Sequence, residues 1–254
     1  MMLRCYLLPQ ISDEEKEMEN RSVWKAKLSL ACYFALIGGI LLGSFIAAFV
    51  LIGMYGLRTD YTNLPFPIAL ISLPINEAII LGVTLLFARY KGAGLKELGL
   101  KKASFRLLMI VSVVAVSLFL LGVGISTGEE IIFGPDPTAE LVEKSVMPRD
   151  TFQLVAMIAL SLALVGPCEE LAMRGFVQRG FENSFGKMKG LLISSVLFGL
   201  MHGLNTLYAI VPVFVVGLVL GYVWQRTGGN TTASALMHGV YDSIAVALAY
   251  FFSV

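Results

Sequence analysis

Six ionisable side chains in the C-terminal part of this 254-residue chain have the types and spacing for hydrolytic chemistry. Glu169, Glu170 and Arg174 stand in one apolar stretch, His202 in a second, and His238 and Asp242 in a third; the two histidines are the only ones in the sequence. An ionisable group at membrane depth costs about 2.5–3.5 kcal/mol to insert, so those that persist face a cavity or a partner. On a helix Glu170 and Arg174 are i and i+4, the spacing of an ion pair. Glu169, turned about 100° from Glu170, is left to point into a cavity. His238 and Asp242 share the same spacing, so the carboxylate can hold one imidazole nitrogen and fix the tautomer presented by the other. A carboxylate base, an imidazole and hydrogen-bond donors are what activating a water and holding a developing oxyanion require. Taken alone, the Glu170–Arg174 pair reads as a snorkelling salt bridge at the membrane interface. Either histidine alone reads equally well as a hydrogen bond between helices.

The elements that must position these groups are membrane helices. The chain is 57% apolar and 15% charged with a mean hydropathy of +0.79, whereas soluble domains carry about 25% charged residues. At roughly 20 residues per crossing, the length admits six to eight spans and no separate soluble domain. Apolar segments near 28–57, 66–88, 106–126, 151–168, 190–207, 208–225 and 232–253 predict an all-α polytopic bundle of about seven spans. Residues 1–27 form a tail and 28–254 one transmembrane domain, with the motif region at 150–254. The acidic run Asp13-Glu14-Glu15 is the reverse of a signal peptide's basic start, so the first span is expected to be retained.

Arg89, Lys91, Lys96, Lys101, Lys102 and Arg106 put the second connection in the cytoplasm by the positive-inside rule, and the N-terminus with it. The plasma membrane is the expected location. The acidic segment 127–150 then lies outside, with Glu129-Glu130 in a solvated loop. Measured from Arg179, Lys189 and Asn230, the expected depths of Glu169, His202 and His238 are about 15, 20 and 12 Å, a shared layer in the cytoplasmic half.

Other residues carry less. With 19 basic and 18 acidic residues and no long basic block, nucleic-acid binding is excluded. Cys168, Met201 and Phe198 read as packing, and the spaced pairs Gly199/Gly203 and Gly217/Gly221 as sites of close helix approach. Asn76 and Glu77 follow Pro74, which is expected to break its helix; they read as supporting or gating residues.

Taken in order, Glu169-Glu170-x-x-x-Arg174, Phe198-x-x-x-His202 and His238-x-x-x-Asp242 resemble the CPBP intramembrane protease family, which includes CAAX prenyl endopeptidases and bacteriocin self-immunity proteins. Arg174-Gly175-Phe176 adds to the resemblance, which covers mainly residues 150–254. It implies peptide-bond hydrolysis within the membrane, with access from the cytoplasmic side. The substrate would be a membrane-associated peptide or protein, prenylated in the CAAX case, and membrane lipid the other partner. Glu169 would be the general base, His202 would hold and polarise the water, and Glu170 and Arg174 would support them. His238 and the residue after it by four would stabilise the oxyanion. Here that residue is Asp242 where the family often has asparagine; an ionised aspartate cannot donate, which leaves His238 as the donor.

The resemblance favours a glutamate mechanism without a cofactor. Zinc held by Glu169, His202 and His238 is the alternative, although no His-Glu-x-x-His is present. Two other classes compete: a transporter relaying protons or ions through the same groups, and a non-catalytic immunity or binding protein.

Overall fold

Long apolar stretches have one stable form in lipid, the helix, because it satisfies its backbone groups within the segment. The computed structural model describes residues 23–60 and 64–252. The described residues contain no strand and form α1 Ala26–Tyr55, α2 Ala69–Tyr90, α3 Phe105–Phe133, a short α4 Ala139–Val146, α5 Thr151–Phe185, α6 Lys187–His202, α7 Ile210–Arg226 and α8 Thr231–Phe252. A 3-10 turn, Leu207–Ala209, leads into α7. Six helices are long and apolar enough to cross a membrane, and the polytopic all-α bundle is as composition implies. The stretch expected at 190–207 is instead the 16-residue α6, which rises about 24 Å and falls short of a full span.

Three boundaries differ from expectation. The fourth span does not stop at 168 but runs on as α5 to Phe185. α3 continues to Phe133, so Glu129 and Glu130 belong to its last turns rather than to a loop. Pro74 does not break α2; lying in the second turn, it forfeits only one bond of the ladder. Of the 1–27 tail, residues 1–22 lie outside the described residues.

Charge separates the two ends of the bundle. Lys25, Lys91, Lys96, Lys101, Arg179 and Arg226 mark one end, where Lys101 Nζ donates to the Gly228 carbonyl at 2.8 Å and the Thr231 N–H to the Gly99 carbonyl at 2.8 Å. Glu130, Asp136, Glu140, Glu143 and Asp150, outnumbering Arg58, Lys144 and Arg149, mark the other. There Tyr208 donates to the Gly134 carbonyl at 3.0 Å and the Gln153 amide to the Pro65 carbonyl at 3.0 Å.

α5 is the axis of the bundle, packed against α1, α2, α6 and α8. Residues 168–178 are buried on every side, as expected of a helix enclosed by others. α5 and α8 approach closely because glycines face each other's backbone: a Cβ on Gly166 would lie 2.5 Å from the Ala235 carbonyl oxygen, and one on Gly239 2.7 Å from that of Ser161. Gly199 plays the packing role expected of it, with a Cβ there lying 2.6 Å from the Ile210 carbonyl oxygen.

Two predictions follow from these contacts. Gly166→Val or Gly239→Val should cost about 1–3 kcal/mol by overpacking, read as a lowered melting temperature in detergent, whereas Gly38→Val, with open space around it, should be near neutral. At the acidic end, the Thr206 hydroxyl donates to Asp136 Oδ2 at 2.7 Å and Thr138 donates to Oδ1, which together hold the Asp136 carboxyl below its ordinary value of 3.8. A carboxyl lowered by folding adds stability above its unfolded value and loses it as pH falls through the folded one. Amide exchange around 134–138 and 203–208 should therefore speed up below about pH 4, and Asp136→Asn should abolish that pH dependence.

Candidate active site

The site starts from an irregularity in α5. Pro167 has no N–H to give the helix, and the ladder is rearranged around it: Ser161–Val165 and Leu171–Gln178 are π-helical, with only Gly166–Glu170 regular between them. π-turns of this kind gather at functional sites. Glu169 and Glu170 sit in the regular insert and Arg174 in the second π-segment.

Adjacent on the chain, Glu169 and Glu170 enter two different groups. Glu170 Oε1 lies 2.7 Å from Arg174 Nη1, with the two side chains 0% and 2% exposed. The snorkelling interfacial pair read from the spacing is thus a fully buried one. His238 Nδ1 faces the same oxygen at 3.3 Å, and its Nε2 faces Asp242 Oδ2 at 3.5 Å. The Arg174 guanidinium stacks 4.3 Å from the centre of the Phe198 ring and donates to the Gly217 carbonyl at 3.3 Å. Phe198 also meets the rings of His202 and His238, at 4.6 and 5.8 Å. A residue read as packing is the common wall of the whole cluster.

Glu169 belongs to the second group. Its Oε2 is buried without a hydrogen-bond partner and lies 4.0 Å from His202 Nε2, too far for a direct hydrogen bond. His202 Nδ1 is 3.0 Å from the Phe198 carbonyl. Because a carbonyl only accepts, Nδ1 carries the proton in that contact, and the tautomer with that single proton turns an acceptor Nε2 toward Glu169. Both residues line a cavity of about 640 Å³ between α1, α2, α4 and the end of α6.

The structure therefore brings the six residues into contact as a cavity pair, Glu169 and His202, backed by the buried set Glu170, Arg174, His238 and Asp242. Neither His238 nor Asp242 lines the cavity, and both His238 nitrogens face carboxylates. For the same reason Glu169, His202 and His238 do not fit as ligands of one zinc ion. No group of three or more His, Cys, Asp or Glu gathers as a metal site among the described residues.

The cavity adds two residues that carry no motif. Asn76 and Glu77 reach it from α2. Asn76 Oδ1 and Glu77 Oε2 are buried without hydrogen-bond partners, and Gly43 on α1 makes room for the Asn76 amide, which any Cβ there would strike. The one signal in the sequence was a carboxylate and an amide within an apolar span.

Removing one partner of a buried ion pair strands the other charge, at about 3–5 kcal/mol. Arg174→Met and Glu170→Gln should each sharply lower the melting temperature in lipid nanodiscs, and the double variant should lose less than the two single losses added together.

Neither a curated protein nor a solved structure gives a significant match to the chain. Residues 151–244, which run from the start of α5 into α8 and hold all six motif residues, match the family model for type II CAAX prenyl endopeptidase Rce1-like proteins, and so bear out the resemblance read from the motifs and, in general terms, an intramembrane CAAX-type endopeptidase.

Proposed function

We propose that the protein is an intramembrane endopeptidase in which Glu169 is the general base and His202 positions the water. The observation that carries this is the pair of acceptors, Glu169 Oε2 and His202 Nε2, facing each other across 4.0 Å on the wall of the cavity. Two acceptors at that spacing suit one water that gives a hydrogen bond to each and turns a lone pair toward the cavity. Attack of its oxygen on a peptide carbonyl carbon passes the proton to Glu169. Collapse of the tetrahedral intermediate breaks the C–N bond as Glu169 returns that proton to the leaving amine.

The oxyanion needs a donor on the cavity, and the Asn76 amide is a better candidate than His238, whose nitrogens are turned to Glu170 and Asp242. Glu170, Arg174, His238 and Asp242 are positioning residues: they lock the faces of α5 and α8 against Phe198, and through it His202. The substrate is a membrane-associated peptide or protein; a prenylated CAAX end is one form it could take. The basic end of the bundle faces the cytoplasm, with the N-terminus on that side and the plasma membrane as the location. No step is assigned to a metal: the proposed route uses only the carboxylate, the imidazole and water.

The test is cleavage of a peptide library by purified protein in nanodiscs. Glu169→Gln should lower kcat by about 10²–10⁴ without lowering the melting temperature. Asn76→Ala should lower kcat by about 10²–10³ with little change in KM. A chelator should leave wild-type cleavage unchanged. Loss of activity on chelation, restored by zinc, would contradict the glutamate route, and solute flux that survives Glu169→Gln would favour a transporter.

A further inference from the structure

One buried carboxyl has no part in the scheme above. Glu77 on α2 is 2% exposed, opens onto the same cavity as Glu169 and His202, and has its Oε2 buried without a hydrogen-bond partner. Each other carboxyl of the site has a cation or an imidazole beside it: Arg174 and His238 at Glu170, His238 at Asp242, and His202 at Glu169. Glu77 forms no ion pair among the described residues. The ionisable side chains close enough to act on it are Glu169 and Cys168 of α5 and Asp242 of α8, none of which carries positive charge.

Charge balance then decides its state. Arg174 and His238 are taken by Glu170 and Asp242, which leaves the cavity with two carboxyls, Glu77 and Glu169, and no cation committed to either. Two like charges set this close in an apolar bundle do not both form, so one carboxyl keeps its proton. Glu169 has the His202 imidazole within 4.0 Å, and Glu77 has nothing comparable. Glu77 is therefore the neutral member of the pair, and Glu169 is left as the base.

Neutrality changes what the group can do. An ionised carboxylate only accepts hydrogen bonds, whereas the acid donates one. A bare Oε2 costs less as the carbonyl oxygen of an acid than as half of an anion, which leaves the O–H on Oε1 for the cavity that Glu77 lines. The preceding residue, Asn76, lines the same wall. Two consecutive residues of α2 thus bring an amide and an acid to one cavity, and an acid kept neutral by apolar surroundings is an effective donor to a developing oxyanion.

We propose that Glu77 is held as a neutral acid and is the second donor, with the Asn76 amide, to the oxyanion of peptide hydrolysis. The inference rests on the protease reading above and adds to it a catalytic residue that belongs to none of the three motifs. As the water oxygen bonds to the carbonyl carbon, the C=O π pair moves onto the carbonyl oxygen. Glu77 O–H gives that oxygen a hydrogen bond and keeps its proton. On collapse the pair re-forms the C=O bond, the C–N bond breaks, and the proton on Glu169 goes to the amine.

The experiment uses the full chain in nanodiscs, with kinetics on a peptide cleaved from the library and infrared spectra at neutral pH. Glu77→Leu should lower kcat by about 10²–10³ with little change in KM and no fall in melting temperature, since it removes a buried polar group that has no partner. Glu77→Gln, which restores a neutral donor, should recover most of that loss, in contrast to Glu169→Gln. The wild type should show the C=O band of a neutral carboxyl that Glu77→Gln lacks, a readout that stands even where Glu77→Leu folds poorly. Cleavage that needs Glu169 but is untouched by Glu77→Leu would leave the protease reading standing and overturn this proposal. So would Glu77→Gln as damaging as Glu77→Leu, or no carboxyl band lost in Glu77→Gln. A band lost in that variant, in a protein whose wild type cleaves nothing, would uphold the neutral acid and overturn its catalytic role together with the protease reading.

Discussion

Burying charge in an apolar bundle is the constraint on which the rest of the molecule depends. Glu170 and Arg174 lie on the most enclosed stretch of α5, where an unmatched charge would cost several kcal/mol. The ion pair, the His238 contact and the Phe198 face above the guanidinium answer that cost together. They require α5, α6 and α8 to meet at one depth, which in turn requires backbone contact at Gly166 and Gly239. Helices held this closely cannot shift separately, and Glu169 is fixed as a consequence of its neighbour's pairing.

This division of labour between adjacent glutamates explains why one fold can hold a stable charge and a usable one a single residue apart. Glu170 holds Arg174 and His238 at one oxygen inside the bundle. Glu169, turned to the other side of the helix, has an oxygen without a hydrogen bond at the cavity wall, where the proposed mechanism needs its base. His238 belongs to the stable set, since it lies between two carboxylates. Its two nitrogens face Glu170 and Asp242, so Asp242 is engaged inside the bundle where a donor to substrate was expected.

Much of this was legible in the residues themselves. The apolar runs announced the helices, the basic connections announced the two ends, and i, i+4 spacing announced the Glu170–Arg174 and His238–Asp242 contacts. What could not be read were features set by packing between distant segments. Spacing gives the partner of Arg174 but not its burial, because enclosure depends on α1, α6 and α8. Nothing in the run from Ser161 to Gln178 signals π-helix except Pro167. Asn76 is far from any motif and matters only because Gly43 leaves it space beside Glu169. The stacking of Trp24 on Phe176 joins residues 152 positions apart.

Central to the proposed chemistry is that Glu169 moves a proton and forms no bond to the substrate. Single-turnover cleavage in ¹⁸O-labelled water, followed by mass spectrometry of both the product and the enzyme, tests it directly. The predicted result is one labelled oxygen in the new product carboxylate and none in the Glu169 side chain. Label in the Glu169 carboxyl, with unlabelled product, would mean that the glutamate is a nucleophile and would contradict its role as a base.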